Sequence, residues 1–402
     1  MEKNDELVAL FEDNFGPVGE RRMLLVHAPG RSEIAGNHTD HEGGDVIAGA
    51  LDVSIDGVCT LNGTPSKVRV FSKGHTPFEI DLADLSPRED ERESCRALVR
   101  GMAAGMTARG LAVTGFDASF TSTVPSGGGL SSSAAMEAAL GRAMEGLWAG
   151  AVDGDDAAAD PIELAKMSQR AETDYFGKPC GLMDQASVCL GGLAHMGFTD
   201  AASPTAEKLA LDFEDFGYAL CLVDVGCDHT PFTADYAAVP VEMQRVAAEF
   251  GHKRLCEVER SDFEAALPAL REKLGDRACL RAIHYYYEQD LVERRWQALL
   301  SKDIDAFLAA TRDSGASSAM YLQNVSSGGA FQPAMYALGL GELVLEGRGA
   351  IRIHGGGFGG SIQAFVPLDL VDEFICRMDG WLGEGSARRY AIDEKGAYAA
   401  WL

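Results

Sequence analysis

The chain predicts an α+β fold, on three observations. Apolar runs bounded by turn residues recur at 23–28, 46–60, 67–71 and 116–124, and two more flank a glycine cluster at 354–361. Helical spacing appears where Met136, Leu140, Met144 and Leu147 follow a glycine run, and again through a long middle section over roughly 240–325. Composition shifts near residue 200, dividing the chain into an N-terminal part, 1–200, and a C-terminal α+β part, 201–402.

In chain order, Leu7, Leu10 and Phe11 sit at helical spacing among acids and predict a short helix over 5–15. The run MLLVHA (23–28) is a strand that Pro29-Gly30 should stop, so the polar stretch after it leaves a strand end. Residues 46–60 and 67–71 are further strands. In FDASFTSTV (116–124), Phe116, Ala118 and Phe120 alternate with polar neighbours, a strand of period two leading into PSGGGLSSSAA (125–135) and then a helix. The segment AGAVDGDDAAAD (149–160) reads as a solvated loop. Asp160 then caps a helix whose first turn takes Pro161, with Glu163 at capping-box spacing. Near the end, AIRIHGGGFGGSIQAFVP (350–367) reads as two strands about a glycine cluster.

Bulk properties exclude several functions. Of 402 residues 46% are hydrophobic, enough for a sizeable core, while 35 Lys+Arg against 61 Asp+Glu leave a formal net charge of -26. Such a surface repels a phosphodiester backbone and an anionic membrane, so neither nucleic acid nor membrane is an expected partner. A small anion is still admissible, because a few cations and backbone N–H groups can set the field inside a cleft. Nine cysteines without a CxxC pattern read as reduced thiols. The N-terminus lacks the basic-then-apolar order of a signal peptide, and no run approaches the roughly 18 apolar residues of a membrane span. A soluble, cytoplasmic monomer is expected.

Four stretches carry chemistry. PSGGGLSSSAA joins a strand to a helix; its glycines admit close approach to a ligand, and the helix start offers unpaired N–H groups. Its serines add hydroxyls suited to phosphate and to Mg²⁺. In RAETDYFGKPCGLMDQ (170–185), Glu172 lies late on the helix begun at Pro161, where a carboxylate could reach a metal. Asp184 there is either a solvated turn residue or a general base. HGGGFGGS (354–361) is either a sharp hairpin or a surface that something approaches closely. GRSEIAGNHTDHEGG (30–44) tempts a zinc reading through His38 and His41, but no HExxH pattern or third ligand at a standard spacing accompanies them. His27 and His195, on apolar stretches, read as packing residues.

Taken in order, PGRSEIAGNHTDHEGG, PSGGGLSSSAA, CGLMDQ and HGGGFGGS resemble the signatures of galactokinases, within the superfamily of galactokinase, homoserine kinase, mevalonate kinase and phosphomevalonate kinase. The resemblance covers nearly the whole chain. It implies a two-lobed α+β small-molecule kinase fold with the active site between the lobes. The implied reaction moves a phosphoryl group from MgATP to the anomeric hydroxyl of galactose, giving galactose 1-phosphate. Carried over by motif, Asp184 is the base and Arg31 the catalytic arginine. Asn37, His38, Asp40, Gly181 and Tyr236 of HTPFTADY (229–236) face the sugar. Pro125, Gly127, Gly128, Gly129, Leu130, Ser131, Ser132 and Ser133 hold the nucleotide, and Ser132 or Ser133 with Glu172 serve Mg²⁺.

The chain also departs from that pattern. Galactokinases usually carry Glu where Asn37 stands and Tyr where His41 stands. A buried carboxylate would oppose a uronic acid at C6 by roughly 4 kcal/mol at intermediate dielectric, and Asn37 removes that barrier. Galacturonate is therefore an alternative substrate, and a non-catalytic galactokinase-like sugar sensor an alternative function. The usual basic pair after the tyrosine is replaced by AAVPVEM, and Cys95 and Leu98 stand where an aromatic W-x-x-Y pattern is common.

Overall fold

Two long strands form the backbone of the first sheet. The computed structural model describes residues 3–125, 129–152, 158–227, 233–326 and 328–402; Gly127, Gly128 and 229–232 of HTPFTADY lie outside the described residues. Strand β1 (Leu24–Ala35) pairs antiparallel with β2 (Asp45–Leu61). Contrary to the expectation that Pro29-Gly30 ends it, β1 runs on to Ala35, with register shifts after Pro29 and after Glu33. Proline has no N–H for the ladder, so it is tolerated where the pairing is already broken by a bulge. That continuation seats Arg31 within a strand, buried on all sides.

Strands β3 (Lys67–Ser72), β4 (Phe78–Asp81) and β5 (Phe116–Ser122) extend this sheet on one side of β2. Strand β6 (Leu193–Gly197) pairs along the other half of β2, and β7 (Thr205–Leu209) pairs with β6. Helices α2 (Cys95–Ala108), α3 (Ser132–Ala149), α4 (Pro161–Arg170) and α5 (Met183–Leu190) pack together, with α3 and α5 against β1 and β2. Helix α1 (Lys3–Phe15) covers β2 and β5 through Leu7 and Phe11. At the start of α4 the Asp160 carboxylate accepts the Ile162 N–H and Pro161 takes the first position, as expected.

A second sheet holds β8 (Tyr218–Asp224), β9 (Ala350–Ile353), β10 (Ser361–Pro367) and β11 (Ala387–Tyr390) in the order β11-β8-β10-β9. Strands β9 and β10 flank the glycine cluster. The helical middle is α6 (Thr233–Ala248), α7 (Arg260–Leu274), α8 (Asp276–Ser301) and α9 (Ile304–Ser317), with α10 (Pro333–Leu345) and α11 (Val371–Leu382) beyond it. Strand β12 (Tyr398–Trp401) returns to the first sheet beside β1. Residue 200 falls between β6 and β7, which pair with each other.

Candidate active site

Arg31 on β1 and Asp184 in the first turn of α5 meet across 153 residues of chain. Arg31 Nε donates to Asp184 Oδ1 at 2.8 Å and one Nη to Oδ2 at 2.7 Å, a bidentate pair, while the other Nη donates to the Gly129 carbonyl. The Ser131 hydroxyl donates to Asp184 Oδ2 as well. Burial alone would raise the carboxyl, but the Arg31 charge, its hydrogen bonds and Ser131 override that and hold Asp184 at about 2.

The serine loop lies directly over β1. The Arg31 N–H donates to the Leu130 carbonyl at 3.2 Å, and a Cβ on Gly30 would stand 3.2 Å from that oxygen, tighter than ordinary packing allows. Glycine at 30 thus lets loop and strand close on each other. Pro125 and Gly129 are half-buried at the two described ends of the loop, and Leu130 is buried. Ser131 precedes α3 with φ +59°, a left-handed conformation rare outside glycine. In that conformation its side chain bonds Asp184 instead of capping the helix.

A second acid stands beside the first. Helix α4 ends at Arg170 and continues as a π-helical turn over Ala171–Phe176, which holds Glu172 at 2% exposure, just past the α-helix that was expected to carry it. Ser133 Oγ donates to Glu172 Oε1 at 3.0 Å, whereas Ser132 is exposed. Lys178 Nζ lies 3.3 Å from the same oxygen, and Gln185 Nε2 donates to Oε2 at 2.6 Å. Glu137 on α3 is fully buried nearby; burial first, then the Glu172 charge, push its carboxyl well above the usual range.

The HTD turn forms the facing wall. Asp40 packs so closely on Gly181 that a Cβ there would overlap its carboxylate. Burial raises the Asp40 carboxyl above its usual value, against the neighbouring His41 and the N–H groups of His41 and Met183. His38, at φ +57°, packs edge-on to the Tyr236 ring with centroids 5.5 Å apart. Burial of the Tyr236 hydroxyl pushes its pKa up to about 12. A Cβ on Gly356 would overlap the Tyr236 ring, and one on Gly357 the Asn324 carbonyl. The glycine cluster therefore exists, in part, to let Tyr236 and Asn324 approach its backbone.

His38 and His41 bond each other, Nδ1 to Nε2 at 3.3 Å, within a longer chain. His38 Nε2 donates to the Gly356 carbonyl at 2.9 Å, and burial holds His38 neutral with a pKa of about 3, so its Nδ1 accepts from His41. His41 Nδ1 in turn stands 3.1 Å from Glu42 Oε1.

Asn37 is placed differently from the other sugar-motif residues. It is fully buried, with its amide N–H groups on Glu33 and the Gly355 carbonyl and its oxygen accepting from Asn324 at 2.7 Å and Ser318 at 3.3 Å. Behind it, Glu33 pairs with Arg352 at 2.7 Å and Glu288 with Arg295, all four buried. His284 accepts no charge there; burial lowers its pKa, and its Nε2 donates to the Asn37 carbonyl at 2.9 Å. His27 is bonded to Asp56 at 2.8 Å and lies 3.7 Å from Asp393, a buried polar partner of two carboxylates and not the packing residue expected, whereas His195 stacks on Trp296 with centroids 5.3 Å apart.

Sequence reading passed over Lys178 and Gln185 although both stand in the quoted 170–185 stretch. Glu137, Glu33, Arg352 and His284 carry no local signal, since each is recruited by tertiary contacts. Under the sugar-facing role that the resemblance implies for Asp40, Gly181→Ala is expected to raise KM for the sugar by tenfold or more, while the midpoint of thermal unfolding moves by only a few degrees. Steady-state kinetics beside a melting curve check both.

Comparison with known proteins gives the family. Residues 9–60, which include Arg31, Asn37, His38 and Asp40, match the galactokinase galactose-binding signature. Residues 97–192, which include the serine loop, Glu172 and Asp184, match the GHMP kinases N terminal domain. The galactokinase of Streptomyces lividans is 33% identical over 364 residues, covering 88% of this chain and 84% of the relative. That of Chloroflexus aurantiacus is 31% identical, covering 93% and 91%. The crystal structure of Lactococcus lactis galactokinase complexed with galactose superposes with a TM-score of 0.82 at 22% identity, covering 98% of this chain and 99% of that one. With two relatives above 30% identity over most of both lengths, and the fold shared from end to end, this chain belongs to the galactokinase family.

Proposed function

We propose that this protein transfers the γ-phosphoryl group of ATP to the anomeric hydroxyl of D-galactose, releasing galactose 1-phosphate and ADP. The observation that carries this reading is the Arg31–Asp184–Ser131 cluster at the start of α3, enclosed by the HTD turn. Asp184 is the group that accepts the anomeric proton. Ionised but weakly basic, it takes that proton as the new P–O bond forms and not before. Arg31 holds Asp184 ionised and offsets negative charge on the moving phosphoryl group. His38, Asp40, Gly181 and Tyr236 line the sugar side, and Asn37 reaches it only by giving up a present partner.

The donor set around Glu172 fits Mg²⁺. The oxygens that could reach the ion are the Glu172 carboxylate and the Ser133 hydroxyl 3.0 Å from it, with the Lys178 and Gln185 nitrogens on the carboxylate as groups that would have to yield, and Glu137 and Gln185 each keep a buried side-chain oxygen without a hydrogen bond. When bound, Mg²⁺ would supply positive charge against the nucleotide phosphates. Glu172 and Ser133 would hold it. We place the enzyme in the cytoplasm as a monomer, which size-exclusion chromatography tests.

An ADP-release assay with MgATP tests the reading, with galactose and galacturonate offered side by side. Turnover of galactose is the expected outcome. Galacturonate is the informative competitor, because Asn37 is neutral and His41 has both ring nitrogens engaged. A preference for it would move the substrate to the uronic acids, and silence on every sugar would move the protein to the sensors. The pH profile gives a second check. A carboxylate whose folded pKa is depressed to about 2 stays ionised at every pH above that value. No acid limb from Asp184 is therefore expected in kcat/KM between pH 5 and 8, and Arg31→Met should introduce one by releasing the carboxyl upward.

A further inference from the structure

Arg31 is largely committed. Three of its N–H groups hold Asp184 and the Gly129 carbonyl, which leaves limited capacity for a triphosphate. The cleft has one more cation close at hand. Lys178 follows the π-helical turn, its backbone N–H fixed on the Glu172 carbonyl at 3.1 Å and its side chain 59% exposed. Its ammonium contacts Glu172 Oε1, the oxygen that Ser133 also touches, while Gln185 holds the other oxygen. Glu172, Asp184 and Tyr236 all act on the Lys178 charge, and together they raise its pKa despite the opposing effect of burial. The ammonium thus stands at the open side of the carboxylate proposed for Mg²⁺, with an anchored backbone and a flexible stem.

We propose that Lys178 stands in for the metal ion on Glu172 in the nucleotide-free protein and moves onto the nucleotide phosphates when MgATP binds. The proposal rests on the phosphoryl-transfer reading above. Two cations do not share one carboxylate oxygen at contact distance without mutual repulsion. Lys178 therefore gives up Glu172 as the metal arrives. An ammonium released there would find acceptors in the phosphate oxygens of a bound nucleotide, and its charge is a point charge with three rotatable donors. Without the lysine, Glu172 would lose the cation that contacts it, while Asp184 keeps Arg31.

The test uses the full chain without sugar. Mn²⁺, an EPR-visible substitute for Mg²⁺, is titrated into nucleotide-free protein, and MgATP binding is measured by calorimetry, for wild type, Lys178→Met and Lys178→Arg. Lys178→Met is expected to bind Mn²⁺ roughly tenfold more tightly and MgATP roughly tenfold more weakly, a coupling of ordinary size. Lys178→Arg should restore both values towards wild type. Unchanged or weaker Mn²⁺ binding in Lys178→Met overturns the proposal, as does unchanged MgATP affinity. If Lys178→Met does not fold, Lys178→Gln keeps a polar stem and is read in the same way. Neither measurement depends on sugar turnover, so the two binding shifts without activity on any sugar would sink the galactose reading and leave this one standing.

Discussion

Asp184→Asn is expected to lower turnover of MgATP and galactose by roughly a thousandfold, the scale of a lost general base. Asparagine keeps the size of aspartate and one oxygen for Arg31 and Ser131. Its amide, however, turns N–H groups towards a guanidinium that has only donors, so one arm of the bidentate pair is lost. The stability change has a sign and a size. Asp184 is depressed from 3.8 to about 2, so its contribution is present above its unfolded pKa and disappears as pH falls through about 2. At neutral pH this amounts to about 2 kcal/mol, within what a domain of this size tolerates. Initial rates and urea unfolding on the same preparation separate the effects. Wild-type turnover in the variant would remove Asp184 from the chemistry.

The largest expected stability effect lies behind the site. Arg352 on β9 and Glu33 on β1 join the two sheets through a buried ion pair, and Arg352 also donates to the Glu33 carbonyl at 2.9 Å. Arg352→Met leaves a buried carboxylate without its counter-charge, at a cost of about 3–5 kcal/mol. Burial already raises the Glu33 carboxyl against the pull of Arg352, so removing the arginine should protonate it in the folded state. Arg352→Met with Glu33→Gln is expected to recover part of the loss, since no charge is then stranded. Because Glu33 accepts from Asn37, the single variant should also weaken sugar binding. Equilibrium urea unfolding of both variants decides the matter; a loss below about 1 kcal/mol in the single variant would mean that the pair is not what joins the lobes.

The parts of this protein that were legible in its sequence are those where local pattern and local chemistry coincide. The period-two strand before PSGGGLSSSAA and the helical spacing after it appear as β5 and α3, although both are buried beyond the face the pattern marks: Phe116 to Phe120 are all buried, and so is every residue from Glu137 to Leu147. Pro29-Gly30 misled because the pattern reports the missing N–H, and not the bulge in β2 that makes it harmless. The π-helical turn at Glu172 has no periodic signature, for one wide turn alters no hydrophobic spacing. Asn37 was readable as a motif position but not as a buried one. Its partners Asn324, Ser318 and Gly355 lie more than 280 residues away, and only the folded chain brings them together.

Strand β12 has a consequence for how the protein is made. Residues 398–401 supply the outer neighbour of β1, aligning Leu24 with Trp401 and His27 with Tyr398, and Arg22 lies over the Trp401 ring at 4.1 Å. On the ribosome, the strand that carries Arg31 therefore waits with one edge unpaired while nearly the whole remaining chain is translated. A nascent chain in that condition offers a ready template for pairing with another chain. Its dependence on chaperones should be greatest in that interval, and a nonsense mutation only a few codons before residue 398 should yield an aggregating polypeptide rather than a slightly shortened enzyme.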